Sequence, residues 1–373
     1  MEWLLSILGI AFLMVVHESG HYLAARSFGM RVTKFSIGFG PTFFKIQPKG
    51  GYWTFTALAE RIQIKLHKHD PEKHGPTVFQ VAMIPFLAYV QIAGMNPLEE
   101  HDPKDKGSYA NASLIGRIVT IVGGSLSNYL FASVFFFVAL MADGKLVQST
   151  QFDVLPDKPA AQAGMKNGDR LIEVDGTKVD DWVAMAAKIS ANPGREIPVV
   201  VERGGEQITY KVTPLNEGGQ GRIGIGGTAY PPKKVPVSVG DAAVMSVEMP
   251  PKVVQSFAQG MVEMVTRRSE TKVSGPVGMV KETAKAARDG IASLLFLLGM
   301  LSAYLGAFNL LPFPALDGGR LMFLGYEAAT RKRPNPMVEA QIHAVGLVMM
   351  LGLMLYVTFA NDLGLGGSAP PSP

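Results

Sequence analysis

Cysteine is absent from all 373 residues. That excludes disulfides, thiolate metal ligands and a thiol nucleophile, so any metal must be held by histidine, carboxylate or amide groups. Charge is scarce too: Asp, Glu, Lys and Arg make up 18% of the chain against 47% apolar residues, with a mean hydropathy of +0.19. Soluble domains usually carry about a quarter charged residues. This balance fits a chain that lives largely in lipid. Basic residues are missing from the N-terminus, which begins Met1-Glu2-Trp3, and from the tail after Ala360. The first absence argues against a cleaved signal peptide, whose leading region is positive, so the N-terminal apolar run is expected to stay as a span. The net charge of +4 and pI near 9.0 are no nucleic-acid footprint. Lys and Arg sit in loops beside apolar runs, as membrane anchors do.

Four apolar runs are long enough to cross a bilayer, at about 3–25, 114–141, 291–311 and 342–360. Lys and Arg gather in 26–113 and in the loop holding Arg320, Arg331, Lys332 and Arg333. The positive-inside rule then places both termini and the 145–290 region outside the cytoplasm. Between the first two spans the pattern turns to alternation and glycine bends. Ser36–Pro41 and Thr54–Leu58 read as strands. The apolar stretch Val78–Met95 is interrupted by Pro85 and rich in β-branched and aromatic residues, so it reads as sheet in or against the membrane. The polar patch from His67 to His74 reads as a solvated loop. In Asp241–Val265, Val244, Val247, Val254, Phe257, Met261 and Val265 recur on one helical face.

The fold class expected is an α-helical polytopic membrane protein with four transmembrane helices, a membrane-associated β-hairpin or sheet, and an inserted α+β domain. In order, 1–28 is the first span, 29–108 the β-hairpin region with a cytoplasmic loop, and 109–144 the second span. The inserted domain takes 145–230 and an amphipathic juxtamembrane linker 231–290. The third span takes 291–320, a cytoplasmic loop and the fourth span 321–361, and a disordered tail 362–373.

The chemistry begins at His17-Glu18-Ser19-Gly20-His21, inside the first apolar run. Residues four apart share a helix face, so His17 and His21 can offer imidazoles to one metal ion. Glu18, one residue on, can polarise a metal-bound water as general base. Two histidines and a carboxylate in a membrane-length segment are costly to bury unless they bind something. A zinc site of this kind wants a third protein ligand. Asp317 is the candidate, because it ends a charge-free span on the same inferred cytoplasmic side. The plainer reading of Asp317 is a turn or capping aspartate before Gly318-Gly319. Pro312 and Pro314 break the helix just ahead of it. Asn128, inside the second span, is a polar group that needs a partner.

On these motifs the chain resembles the site-2 protease family of intramembrane zinc metalloproteases. The resemblance is carried by His17-Glu18-Ser19-Gly20-His21 and by Asn309-Leu310-Leu311-Pro312-Phe313-Pro314-Ala315-Leu316-Asp317-Gly318. Gly38-Phe39-Gly40-Pro41, the segment from Arg117 to Asn128, and Ser274-Gly275-Pro276-Val277-Gly278 support it. It implies Zn2+ held by His17, His21 and Asp317, with Glu18 as base in cleavage of transmembrane segments of single-span membrane proteins. An anti-sigma factor or a signal-peptide remnant is the implied kind of substrate. The hairpin is implied to pair with the substrate strand, and Asn309, Asn128 and the broken backbone at Pro312 to hold it unwound. The implied setting is the bacterial cytoplasmic membrane, with lipid as partner and no nucleic acid.

Val154-Leu155-Pro156, Pro159–Met165 and Gly168–Gly176 match a PDZ domain, implied to lie outside the cytoplasm. Gly221–Gly227 comes last where such domains often place it first. A circular permutation is therefore expected, with Gly224 and Ile225 in the wall of a peptide groove. The chain departs from the family where Ile84–Tyr89 carries bulk instead of a glycine pair, and where Gly124-Ser125 stands for Gly-Pro. Two rival functions are a membrane receptor using the PDZ domain and a metal transporter. An intact Glu18 argues against the first, and too few intramembrane ligands for a continuous path against the second.

Overall fold

A computed structural model describes residues 1–58, 60–99, 102–226, 230–266 and 275–363, the side chains of 85–87 and 264–265 excepted. Gly227, Ser274 and the tail from 364 lie outside those residues. The N-terminal run forms helix α1, Glu2–Ser27. Gly29 then reverses the chain at φ +76°. Strands β1 (Val32–Lys49), β2 (Tyr52–Ala57) and β3 (Ile62–Lys68), the helical turn α2 (Pro71–His74) and strand β4 (Val78–Ile92) follow. They form one sheet in the order β3-β2-β1-β4. Gly38 and Gly40, at φ +88° and +94°, bend β1, so that Phe35 is paired with both Phe79 and Val90 of β4. The stretch with Pro85 is thus sheet, not a span.

The histidine patch is a correction. It is a strand end and a helical turn rather than a solvated loop, because Trp53 gathers the rings. Trp53 stands 4.8 Å from His69 and 6.1 Å from His74, centroid to centroid. Buried His69 donates from Nε2 to the Gly75 carbonyl at 2.8 Å.

Helix α3, Leu114–Asp143, is the second apolar run. After it come β5 (Lys145–Val147), β6 (Asp153–Val154), α4 (Pro159–Gln162), β7 (Arg170–Val174), β8 (Thr177–Lys178) and α5 (Trp182–Ser190). Next are β9 (Ile197–Arg203), β10 (Glu206–Val212), β11 (Leu215–Glu217), β12 (Gln220–Arg222), β13 (Ile225–Gly226) and β14 (Lys233–Val235). The chain ends with α6 (Val239–Val265), α7 (Pro276–Asp289), α8 (Ile291–Asn309), α9 (Asp317–Thr330) and α10 (Pro336–Val357).

Two compact units result. One is Met1–Ala139 with Gly240–Pro373; the other is Leu140–Val239. Within the first, four helical segments among the described residues are long and apolar enough to cross a membrane: Glu2–Ser27, Leu114–Asp143, Ile291–Asn309 and Pro336–Asp362. The region expected as a loop after 320 is instead helix α9. On α6 Ala242 and Ser246 are buried, and Met249 and Val253, partly buried on the same side, pack on Phe136 and Ala303. Val244 and Val247, placed by the sequence on the packing face, are 60% and 65% exposed. The face turned to neighbouring helices favours smaller side chains, which permit close approach.

The second unit has a sheet in the order β10-β9-β7-β8. Phe152, Leu171, Val174, Val199 and Val201 form its core with Met185 and Ile189 of α5. Lys145 of β5 pairs with Val235 of β14, so the unit's two ends meet, as an insertion requires. The stretch 221–226 is two short strands, not one. β12 pairs with β11 and β13 with β6, with Gly224 at φ +76° between them.

Candidate metal centre

Helices α1 and α3 cross with their backbones touching. A Cβ on Gly20 would stand 2.0 Å from the Gly123 carbonyl oxygen, so only glycine allows this approach. At the next residue of α3, a Cβ on Gly124 would stand 2.5 Å from Nε2 of His21 and 2.8 Å from Cε1 of His17. Both imidazoles therefore lie against bare α3 backbone.

Asp317 arrives from the other side, as the first residue of α9. The turn that delivers it includes Ala315 at φ +74°, a left-handed conformation that disfavours any side chain. His343 of α10 steadies it: the Ala315 N–H donates to His343 Nδ1 at 3.0 Å. Gly346 lets α10 come close, since a Cβ there would meet Pro314 at 2.3 Å. At the start of α9, a Cβ on Gly318 would stand 2.0 Å from the Leu311 carbonyl oxygen.

The structure brings His17, His21 and Asp317 together. Nε2 of His17 lies 3.1 Å from Nε2 of His21, and Oδ2 of Asp317 lies 3.1 Å from each. Both histidines are buried, and Asp317 is half-buried. His21 donates from Nδ1 to the Thr120 carbonyl at 2.8 Å, which leaves its Nε2 as a lone pair. Two imidazole nitrogens and a carboxylate oxygen thus converge on one point. Ligands at zinc's usual bond lengths, about 2.0–2.1 Å and tetrahedral, stand roughly 3.3 Å apart. The donor set and its spacing fit zinc.

Glu18 faces the same point. Its carboxylate is within electrostatic reach of His17, His21 and Asp317, and the helix that carries it packs against β4. That strand is at the edge of its sheet. Alongside that edge runs a cleft of about 580 Å³ lined by Tyr89, Val90, Gln91, Ile92, Met95 and Arg320.

Of the remaining sequence candidates, only Asn128 touches the cluster. Asn128 is fully buried, and its side-chain amide meets Nδ1 of His17 at 3.1 Å. Asn309 donates from its amide to the Leu305 carbonyl of its own helix at 3.0 Å. Pro312 lines a separate cavity with Pro314, Met322, Tyr326 and Ile342. Gly224 and Ile225 line a groove of about 410 Å³ within the inserted unit, facing Trp182, Met185 and Ile189 of α5. Sequence reasoning missed the Thr120 carbonyl and His343, and read Gly124 only as a small packing residue that departs from the family's pattern. Only His343 leaves a mark in the sequence, as a lone titratable residue in an apolar run.

The pattern of peptidase family M50 matches residues 5–353. A chain from Clostridium perfringens that bears the name of a zinc metalloprotease is 31% identical over 363 residues, covering 95% of this chain and 97% of its own. Zinc metalloprotease RasP of Geobacillus kaustophilus is 30% identical over 404 residues, covering 94% of this chain and 95% of its own. RasP of Oceanobacillus iheyensis is 26% identical over 419 residues, covering 96% and 97%.

Proposed function

The chain belongs to peptidase family M50, the site-2 proteases, and is a zinc metalloprotease; from that premise we propose an endopeptidase that cuts transmembrane segments of single-span membrane proteins. The observation that supports this most is the convergence of His17, His21 and Asp317 on one point, with Glu18 beside it. On this reading those three residues hold the metal. Bound zinc supplies Lewis-acid chemistry, polarising the scissile carbonyl and acidifying water.

The protein's own groups do the rest. Glu18 takes the proton of the attacking water as its oxygen bonds to the carbonyl carbon. It returns that proton to the departing nitrogen as the C–N bond breaks. The substrate must first leave its helix, because helical carbonyls are engaged in their own ladder. The open edge of β4 can offer replacement hydrogen bonds to the unwound strand, and the cleft beside Tyr89–Ile92 gives it room. That strand packs against α1, the helix that carries Glu18.

The same reading makes residues 145–230 a circularly permuted PDZ domain whose groove, lined by Gly224 and Ile225, takes a peptide end. The arginine and lysine distribution supports an extracytoplasmic side for it in a bacterial cytoplasmic membrane, and a reporter fused after Gly144 tests that side. Substrates would be single-span proteins such as an anti-sigma factor or a signal-peptide remnant. The test is co-expression with candidate single-span proteins. Wild type should cut one of them, and Glu18→Gln should cut at least about 100-fold more slowly. Equal cutting by Glu18→Gln removes the base and with it the mechanism.

A further inference from the structure

We infer that Asn128 orients His17 for zinc, with its amide oxygen facing Nδ1 of that imidazole. The inference rests on the assignment of His17, His21 and Asp317 as ligands. Nε2 of His17 points at Nε2 of His21 and Oδ2 of Asp317, 3.1 Å from each. To serve as a ligand it must carry a lone pair. A neutral imidazole has one N–H, so that proton must sit on Nδ1 and be donated there.

The group 3.1 Å from Nδ1 is the Asn128 amide. Only its oxygen can accept. The two ends of an amide have the same shape, so a half turn about its last bond exchanges them without moving anything else. With nitrogen toward His17, the imidazole proton is forced onto Nε2 among the ligands. With oxygen toward His17, the imidazole takes the tautomer a metal needs.

Two further observations support this. His21 has the same arrangement made from backbone, Nδ1 donating to the Thr120 carbonyl at 2.8 Å. Helix α3 thus supplies the outer partner of both histidines. Asn128 is also fixed and unreachable: it is 0% exposed, and Ser302 Oγ donates to its backbone carbonyl at 2.8 Å. Buried behind His17, it has no face to offer a substrate. It is a positioning residue.

Outer partners of this kind typically change metal affinity by about 10–100-fold. The test is competition for zinc between a chelator and the purified full chain in detergent. Asn128→Leu, close in shape but without an acceptor, should bind zinc about 10–100-fold more weakly. Asn128→Asp keeps an oxygen against Nδ1 and should stay within about threefold of wild type. Wild-type affinity in Asn128→Leu overturns the inference, and so does an equal loss in Asn128→Asp. Should Asn128→Leu fail to fold, Asn128→Ala, which also lacks an acceptor, takes its place with the same loss expected. His21→Ala and Asp317→Ala are measured beside them. If they keep zinc, the ligand assignment is wrong; if they lose it while Asn128→Leu does not, only the role of Asn128 is wrong.

Discussion

Gly124 has no side chain, and the metal centre depends on that. A Cβ there would stand 2.5 Å from Nε2 of His21. Alanine is a better helix former than glycine by about 1 kcal/mol, so Gly124→Ala should leave α3 intact and still displace the imidazoles. We predict at least about a tenfold loss of zinc affinity in the purified variant, with cleavage falling alongside. Unchanged zinc and cleavage would show that the imidazoles have room to move aside. The three converging residues were legible in the sequence as candidates: His17 and His21 through their spacing, Asp317 through its place after a charge-free run. Asn128 was legible as a polar group in need of a partner. That partner was not, because it depends on where α1 and α3 cross. The Thr120 carbonyl leaves no trace at all, since any residue would supply it.

Elements were legible where one physical force dominated. Long apolar runs became α1, α3, α8 and α10, and Pro85 with its β-branched neighbours marked β4 as sheet. Mixed segments were harder. α9 opens on Asp317-Gly318-Gly319 and carries Arg320, Gly325 and Glu327, a composition that reads as loop. What holds it helical is tertiary. Arg117 of α3, 7% exposed, makes a two-pronged pair with Glu327, its Nη1 and Nη2 donating at 2.9 and 2.6 Å. Hydrogen bonds from Arg117 hold the Glu327 carboxyl below its usual range despite its partial burial. An arginine buried at a span's edge is tolerable with such a partner and costly without one. α9 is therefore anchored to α3 one face away from Asp317. The stripe read on α6 holds at Phe257, which packs on Tyr304 of α8, and fails at Val244 and Val247, because apolar periodicity alone does not say which side meets protein and which meets lipid.

At the scale of the whole molecule, the inserted unit has its own core and adjoining ends. On our reading it excludes proteins with large outer domains and admits trimmed ones. Deleting 146–230 should then allow an untrimmed substrate to be cut while cleavage of a trimmed one survives. Loss of both, with zinc retained, would make the domain a recruiter instead. All of this presupposes a metal centre shared by α1 and the start of α9. Metal analysis of the purified full-length chain tests that most directly. The account predicts about one zinc per chain in wild type and in Glu18→Gln, and less than about a tenth of that in Asp317→Ala. Full zinc retention in Asp317→Ala would contradict it.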